Sequence, residues 1–372
     1  MINNSPAEQR KIDQHYMRIA LDLASNGTQT TSPNPRVGCV IVRDGQIIGK
    51  GWHHFYGAPH AEVEAVRDAG GNVLGATVYV SLEPCCHFGK TPPCAQMLVE
   101  HKIARVVAGM SDPNPKVNGK GFELLVNAGI TVKSGVLEDK AKYLNRGFIR
   151  SVIQHRPWVT LKSAISLDGD VALSDGSSKW VTGAQARVKV QMMRAENDAL
   201  LTGVGTILAD DPEFNVRSAS SDKAPLRIIL DSTLRTPENS KIFGTGPLLF
   251  FVKPTVSKDR IALFKEKGAL VEVIDTEPDK EIGQILNILC QKGINYLMVE
   301  AGPRVTSSFL ASGLTDEISF FMAPKLMGSG MHCTDHLYVN EMNDALKLKD
   351  ISCTKCGKDI LIRGVLSCSP DL

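Results

Sequence analysis

With 372 residues, 43% of them hydrophobic and 22% charged, the chain is long enough for about two domains that each bury a core. A net charge of +2 gives no general mandate for nucleic acid or a membrane surface as partner, and no apolar run is long enough to span a bilayer. The polar start "MINNSPAEQRKIDQHY" lacks the plan of a signal peptide, so a cytoplasmic address is expected and the nine cysteines read as thiols or ligands.

In chain order, "QHYMRIALDLA" has apolar spacing suited to a helix, and "VGCVIVRDGQIIGKGW" reads as two strands joined at Asp44-Gly45. "HAEVEAVRDAG" follows as a helix with Ala61, Val63, Ala65 and Val66 on its apolar side, ending at Gly70-Gly71. Strand "ATVYVSL", helix "PCAQMLVEHK", strand "ARVVAGM", helix "GFELLVNAG", strand "ITVKSGV" and one helix from Glu138 to Gln154 complete the first half. Strands alternating with helices predict an α/β layered fold. A seam is expected near "HRPW", with domains at 1–150 and 151–372. Beyond it "WVTLKSAISLDG", "QARVKVQMMRA", "DALLTGVGTIL", "LRIILDS", "LLFFV", "NYLMVEAG" and "EISFFMAP" begin a second α/β series. The pair Met192-Met193 reads as core filling, and "RSASSDKAP" as a surface loop.

His60 can offer a neutral nitrogen to zinc, and "LEPCCHFGKTPPC" supplies Cys85 and Cys94, each directly after a proline. Three N/S ligands with a fourth position left for water describe a catalytic zinc rather than a closed structural one. A proline before Cys94 suits the first turn of a helix, whose N-terminus favours the thiolate. Residues two apart on a helix do not share a face, so His60 and Glu62 can serve one metal only if it sits ahead of the first turn. Glu62 is then expected to carry a proton from water to departing ammonia, with zinc making hydroxide available near neutral pH. An ordinary surface helix start explains "HAE" taken alone; the downstream cysteines argue against it.

The pattern resembles the cytidine-deaminase-like zinc deaminases, except that eight residues rather than two separate the cysteines. Cys86 and His87 lie within that insertion as rival ligands. Together "SPNPRVGCVIV", "PHAEV", "SLEPCCHFGKTPPC" and "SDPNPKVNGKG" resemble the deaminase half of the bifunctional riboflavin-biosynthesis deaminase/reductases. That resemblance implies a phosphoribosylated diaminopyrimidinone as substrate, contacted by Asn34, His87, Lys90, Asp112 and Asn114. Lys90 suits a phosphate and Asn34 a base or sugar edge, although Asn34, Asp112 and Asn114 also sit beside prolines where turns use such residues.

In the second half no G-x-G-x-x-G follows a strand, and "TGVGTILADDP" has the wrong spacing for a Rossmann site. "YLMVEAGPRVTSSFL" reads either as a phosphate site at a helix start, with free N–H groups and the hydroxyls of Thr306, Ser307 and Ser308, or as an ordinary strand-to-helix connection. The order "LKSAISLDG", "SSKWVTG", "LTGVGTILADDPEFNVR", "LRIILDS", "VEAGP", "APKLMG" resembles the reductase half of the same family, which implies a dihydrofolate-reductase-like fold and NADPH. By that resemblance Ile165, Trp180, Thr206, Asp210, Ser232 and the loop Gly302, Pro303, Arg304, Val305, Thr306, Ser307, Ser308 hold the cofactor. Lys162, Ser178, Arg194, Phe214, Arg217 and Glu300 hold the substrate. Arg194 and Arg217 are expected on its phosphate, because a guanidinium binds phosphate bidentately, and Glu300 on sugar hydroxyls. Phe214 is expected to act through its backbone, and Ile165 is bulkier than the position suggests. Asp168 in "SLDG" reads as a turn residue rather than a proton donor, and "CTKC", Cys353 to Cys356, lacks partners for a structural zinc. The resemblance implies small phosphoribosyl-pyrimidine substrates, one zinc per chain and a homo-oligomer, with no nucleic acid and no membrane. A deaminase of nucleic-acid bases with an unrelated second domain is the alternative, but no basic or aromatic strip is evident around residues 81 to 118.

Overall fold

Strand residues buried on both faces read as continuous apolar runs, and Cys39-Val40-Ile41-Val42 is such a run in an inner strand of a five-stranded sheet. In the computed structural model of the chain the described residues are 5–86, 93–115, 117–217, 224–244 and 246–372. The chain divides into two units, the first ending at Gln154 and the second running from His155 to Asp371.

The first unit runs α1 (Pro6–Ser25), β1 (Gly38–Arg43), β2 (Gln46–Trp52), α2 (Ala61–Asp68), β3 (Thr77–Val80), α3 (Cys94–Glu100), β4 (Arg105–Ala108), α4 (Lys120–Asn127), β5 (Thr131–Lys133), α5 (Glu138–Leu144) and α6 (Arg146–Gln154). Sheet order is β2-β1-β3-β4-β5; β1 is antiparallel to β2 and β3, and β3, β4 and β5 are parallel. Because side chains alternate across a strand, Cys39, Ile41, Val78, Val80 and Val106 pack against α2, α3 and α4. Val40, Val42, Tyr79 and Val107 pack on the other face against α1, α5 and α6. The result is the expected α/β/α sandwich. Gly51 explains how closely α2 lies on β2. A Cβ there would stand 2.4 Å from the Ala61 carbonyl oxygen and 2.5 Å from the Ala65 nitrogen, so only glycine allows that approach.

One expectation fails here. The single helix over 138–154 is two helices, α5 and α6, broken at Asn145. Asn145 is fully buried; its amide accepts from Arg36 N at 2.8 Å and donates to Arg36 O at 3.0 Å. Pairing with the strand-like segment before β1 fixes Asn145, and that tertiary demand is invisible to local periodicity.

The second unit runs β6 (Trp158–Ile165), β7 (Asp170–Ala172), α7 (Ala184–Ala195), β8 (Ala199–Gly203), α8 (Val204–Asp210), β9 (Leu226–Leu230), β10 (Leu248–Val252), α9 (Lys258–Glu266), β11 (Leu270–Val273), α10 (Glu281–Gln291), β12 (Tyr296–Val299), α11 (Pro303–Ala311), β13 (Glu317–Met322), β14 (Met331–His332), β15 (Leu348–Cys356) and β16 (Asp359–Leu366). Nine strands form one sheet in the order β11-β10-β9-β8-β12-β6-β13-β16-β15, and β7 pairs with β14 separately. From β11 to β13 every neighbour is parallel, while β16 is antiparallel to β13 and β15. One face buries Val159, Leu201, Leu297 and Val299 against α10 and α11; the other buries Leu200, Ile229, Phe250 and Met298 against α7, α8 and α9.

The hairpin of β15 and β16 was not expected, because "LKDISCTKC" shows no apolar alternation and most of β15 is exposed. Cys353 and Cys356 lie on that strand, the first exposed. Met193 is buried as expected, but Met192 is 49% exposed, so the pair is not all core. The loop read at 217–225 falls mostly outside the described residues.

Candidate active site

His60 caps the N-terminus of α2 with extended backbone (φ −73°, ψ 161°), and its side chain caps no helix N–H. The ring instead faces the turn after β3. His60 Nδ1 lies 3.4 Å from Cys85 Sγ and 3.3 Å from Cys94 Sγ. Tetrahedral zinc with ordinary Zn–N and Zn–S bonds demands an N···S edge of about 3.5 Å, so the donor set fits that ion. The ligand atoms of His60, Cys85 and Cys94 all lie within 4.8 Å of one another, the one such group among the described residues. Cys94 opens α3, and Pro93 before it is the cap rather than the first-turn residue expected. The Cys94 N–H consequently points at Cys85 Sγ, 3.3 Å away. The neighbouring Cys94 thiol, opposed by burial and helped by His60, pulls the Cys85 thiol well below its ordinary value.

Glu62 is the second residue of α2 and is buried. Helix geometry thus puts His60 ahead of the first turn and Glu62 within it, the arrangement that spacing required. Burial is the main cause that pushes the Glu62 carboxyl up to about 7. Glu62, His60 and Cys85 line a cavity of about 300 Å³ together with Asn34, Asp112 and Asn114. Four of the sequence-derived residues, Asn34, Glu62, Asp112 and Asn114, therefore share one cavity with His60 and Cys85, while His87 and Lys90 lie outside the described residues.

Sequence reasoning missed His53, Tyr56 and Glu83 in that lining. His53 Nδ1 lies 3.1 Å from the Pro59 carbonyl, which makes it the N–H side, so Nε2 accepts from the Asn34 amide at 3.1 Å. Burial chiefly lowers the His53 pKa, in keeping with a neutral ring. The Asn34 carbonyl oxygen is thereby left for a ligand. Burial also raises the Asp112 carboxyl to about 6, against a hydrogen bond from Asn114 N at 2.8 Å. The only sequence signal for Glu83 was its position directly before Pro84-Cys85; His53 had none beyond polar type.

In the second unit Glu300, just beyond β12, receives Lys162 Nζ at 2.7 Å and Arg194 Nε at 3.0 Å. Burial would raise its carboxyl, but the charges of Lys162 and Arg194 outweigh burial and hold it at about 2. Arg194 also donates to the Asn215 carbonyl at 3.0 Å and lies 5.2 Å from the Phe214 ring centre. Arg194 thus pairs with Glu300 and Asn215 through three of its five N–H donors, and two remain for a ligand; Arg217 is exposed. Phe214 is buried in the core with φ +50°, which leaves its backbone rather than its ring for contact.

Ile165, Thr206, Ser232 and Gly302 follow or end β6, β8, β9 and β12, four parallel strands whose carboxyl ends share one sheet edge. That edge is where open parallel sheets bind ligands. The hydroxyls at the start of α11 differ from expectation. Thr306 and Ser307 are buried in its second turn; Thr306 donates to Ala301 O, Ser307 accepts from His336 N, and Ser308 donates to Arg304 O. Each hydroxyl thus has one partner inside the protein, and the backbone N–H groups of the first turn and the exposed Arg304 are further donors for an anion. That first turn suits a cofactor phosphate. Trp180 is exposed, with Arg187 4.4 Å from its ring centre; Asp210 pairs with Lys179 at 3.5 Å, and Ser178 is half-buried. Asp168 accepts from Ser166, from Met327 N at 2.8 Å and from Gly328 N at 2.8 Å, and the Ser166 bond chiefly holds it at about 2, as a turn carboxylate.

Among the described residues, no helix is long and apolar enough to cross a membrane. Residues 10–110 match the family described as the cytidine and deoxycytidylate deaminase zinc-binding region, and residues 157–362 match the RibD C-terminal domain. The riboflavin biosynthesis protein RibD of Aquifex aeolicus is 42% identical over 353 residues, covering 95% of this chain and 98% of that protein. That of Escherichia coli is 42% identical over 330 residues, covering 85% and 89%. The Acinetobacter baumannii RibD structure (form 1) superposes with a TM-score of 0.88 at 40% identity, covering 96% of this chain and 99% of that one. A Thermotoga maritima structure titled diaminohydroxyphosphoribosylaminopyrimidine deaminase/5-amino-6-(5-phosphoribosylamino)uracil reductase has a TM-score of 0.85 at 34% identity, covering 96% and 99%. A zinc-binding deaminase unit followed by a reductase unit, matched along nearly its whole length, makes this chain a member of the RibD family of riboflavin biosynthesis proteins.

Proposed function

We propose that the chain carries out two consecutive steps of riboflavin biosynthesis. The first is hydrolytic deamination of 2,5-diamino-6-(5-phosphoribosylamino)pyrimidin-4(3H)-one. The second is NADPH-dependent reduction of the ribosyl group of 5-amino-6-(5-phosphoribosylamino)uracil to ribityl. The observation that carries the reading is the donor set of His60, Cys85 and Cys94, of which His60 and Cys85 line one cavity with Glu62.

His60, Cys85 and Cys94 hold zinc, which when bound supplies a water activated for attack near neutral pH. Glu62 takes the proton of that water and hands it to the departing amine, so that the ring carbon gains oxygen as ammonia leaves. Asn34, Asp112 and Asn114 orient the ring and sugar, with His87 and Lys90 assigned to the same substrate by family resemblance. The second unit, from His155, acts as the reductase. NADPH supplies the hydride there, and the protein's task is to align donor and acceptor. Ile165, Trp180, Thr206, Asp210, Ser232 and residues 302–308 face the cofactor in this reading. Lys162, Ser178, Arg194, Phe214, Arg217 and Glu300 face the sugar phosphate, and Arg194 also pairs with Glu300. A base deaminase with an unrelated second domain is set aside, because the relatives match both units. A cytoplasmic homo-oligomer belongs to the same reading; it rests on the family resemblance and is tested by light scattering.

The deciding experiment gives zinc-loaded protein the diaminopyrimidinone phosphate and follows ammonia, then adds NADPH. Ammonia release followed by NADPH oxidation is expected. Oxidation at a similar rate with the un-deaminated compound while ammonia release is blocked would contradict the order of steps.

A further inference from the structure

The cavity wall that carries Asp112 and Asn114 is a long connection between β4 and α4, and a single buried carboxylate ties it down. Glu83 is 3% exposed. Its Oε2 accepts from Asp112 N at 3.1 Å and Gly119 N at 3.0 Å, and its Oε1 accepts from Gly121 N at 3.0 Å. Burying a charge is costly unless hydrogen bonds replace water, and here three backbone donors do so. Two of the three belong to the N-terminus of α4, where a negative charge is favoured.

Glu83 also stands two residues before Cys85, so one short segment holds both a metal ligand and the clamp. Its own N–H donates to Met110 O at 3.0 Å, which anchors the segment to the end of β4. The approach is close: a Cβ on Gly121 would lie 2.1 Å from the Pro84 carbonyl oxygen and 3.1 Å from Glu83 Oε1. The start of α4 is therefore packed backbone to backbone on the turn that leads to Cys85.

We infer that Glu83 is a positioning residue of the deaminase: its carboxylate fixes Asp112 and Asn114 at a set distance from the metal ligands, and so governs substrate affinity rather than the proton-transfer step. Glu83 need touch neither substrate nor metal. It acts through the N–H of Asp112, a residue that itself lines the cavity, and small displacements of positioning groups weaken binding strongly. The inference rests on the deaminase reading above.

The test compares full-length, zinc-loaded wild type with Glu83→Gln and Glu83→Asp. An amide can satisfy the Oε2 donors or the Oε1 donor, but turns an N–H toward the remaining one. Glu83→Gln should raise KM for the diaminopyrimidinone phosphate roughly tenfold while kcat changes less than about threefold. Zinc content and NADPH oxidation on the deaminated compound should stay at wild-type values. Glu83→Asp, which keeps the charge but shortens the reach, should give an intermediate KM, and carries the test alone if the glutamine variant does not fold. Amide exchange should quicken at residues 112, 119 and 121. An unchanged KM, or a fall in kcat that follows loss of zinc with KM intact, overturns the inference. Wild type that releases no ammonia would instead defeat the deaminase reading on which it rests.

Discussion

Glu62 and His60 are two residues apart and do different work because the helix begins between them. His60 has extended backbone and can turn its ring toward the sulfurs, while Glu62 is fixed in the first turn and buried at the cavity. Both placements were legible from residue type and spacing. His53, which orients the Asn34 amide, was not, because the contact joins residues brought together by the loop before β1 and the end of β2. Arg194 shows the same limit: its charge was plain in the sequence, but its pairing with Glu300 appears only in the fold. At this scale we expect Glu62→Gln to keep one zinc per chain and to lower ammonia release by at least ~10²-fold, since that is what a positioned proton carrier contributes. Metal analysis alongside the ammonia assay checks it, and wild-type release from the variant would remove Glu62 from the mechanism.

α1 is held on the sheet by more than its apolar side. Asp13, fully buried, accepts from Arg105 at 2.8 Å on both oxygens, from Lys133 at 2.9 Å and from Gln9 at 3.0 Å, with the Tyr79 hydroxyl at 3.2 Å. Burial pushes its carboxyl up, but Arg105, Lys133 and Gln9 outweigh that and hold it well below the ordinary carboxylate value. The folded pKa is depressed, so the stabilisation is complete above the unfolded carboxyl's pKa of about 3.9 and is lost as pH falls toward the folded value. Asp13→Asn should cost roughly 2 kcal/mol, a low figure for a buried pair because Lys133 is partly exposed. Thermal unfolding should show the gap between wild type and variant near neutrality and see it narrow below about pH 4. A gap that does not change with pH would mean that the charge of Asp13 contributes nothing. None of this network could be seen in sequence: α1 and β2 were legible as elements, but Asp13, Arg105 and Lys133 meet only because β3, β4 and β5 lie side by side. The split at Asn145 has the same origin.

Two units on one chain should have separable chemistry. Stripping zinc with a chelator should abolish ammonia release and leave NADPH oxidation on the deaminated compound unchanged, because the only His/Cys donor group among the described residues is in the first unit. Parallel loss of both activities would point to a metal requirement in the reductase. The division into two α/β series and the zinc donors were readable from the chain, since ligand type, turn chemistry and apolar periodicity are properties of neighbouring residues; the order deaminase then reductase was implied by the resemblance of its motifs to a known family. The β15–β16 hairpin, the use of Thr306 and Ser307 inside the protein and the Glu83 clamp were decided only by tertiary structure. Each depends on which distant backbone groups are left needing a partner once the strands have been ordered, and no local pattern encodes that.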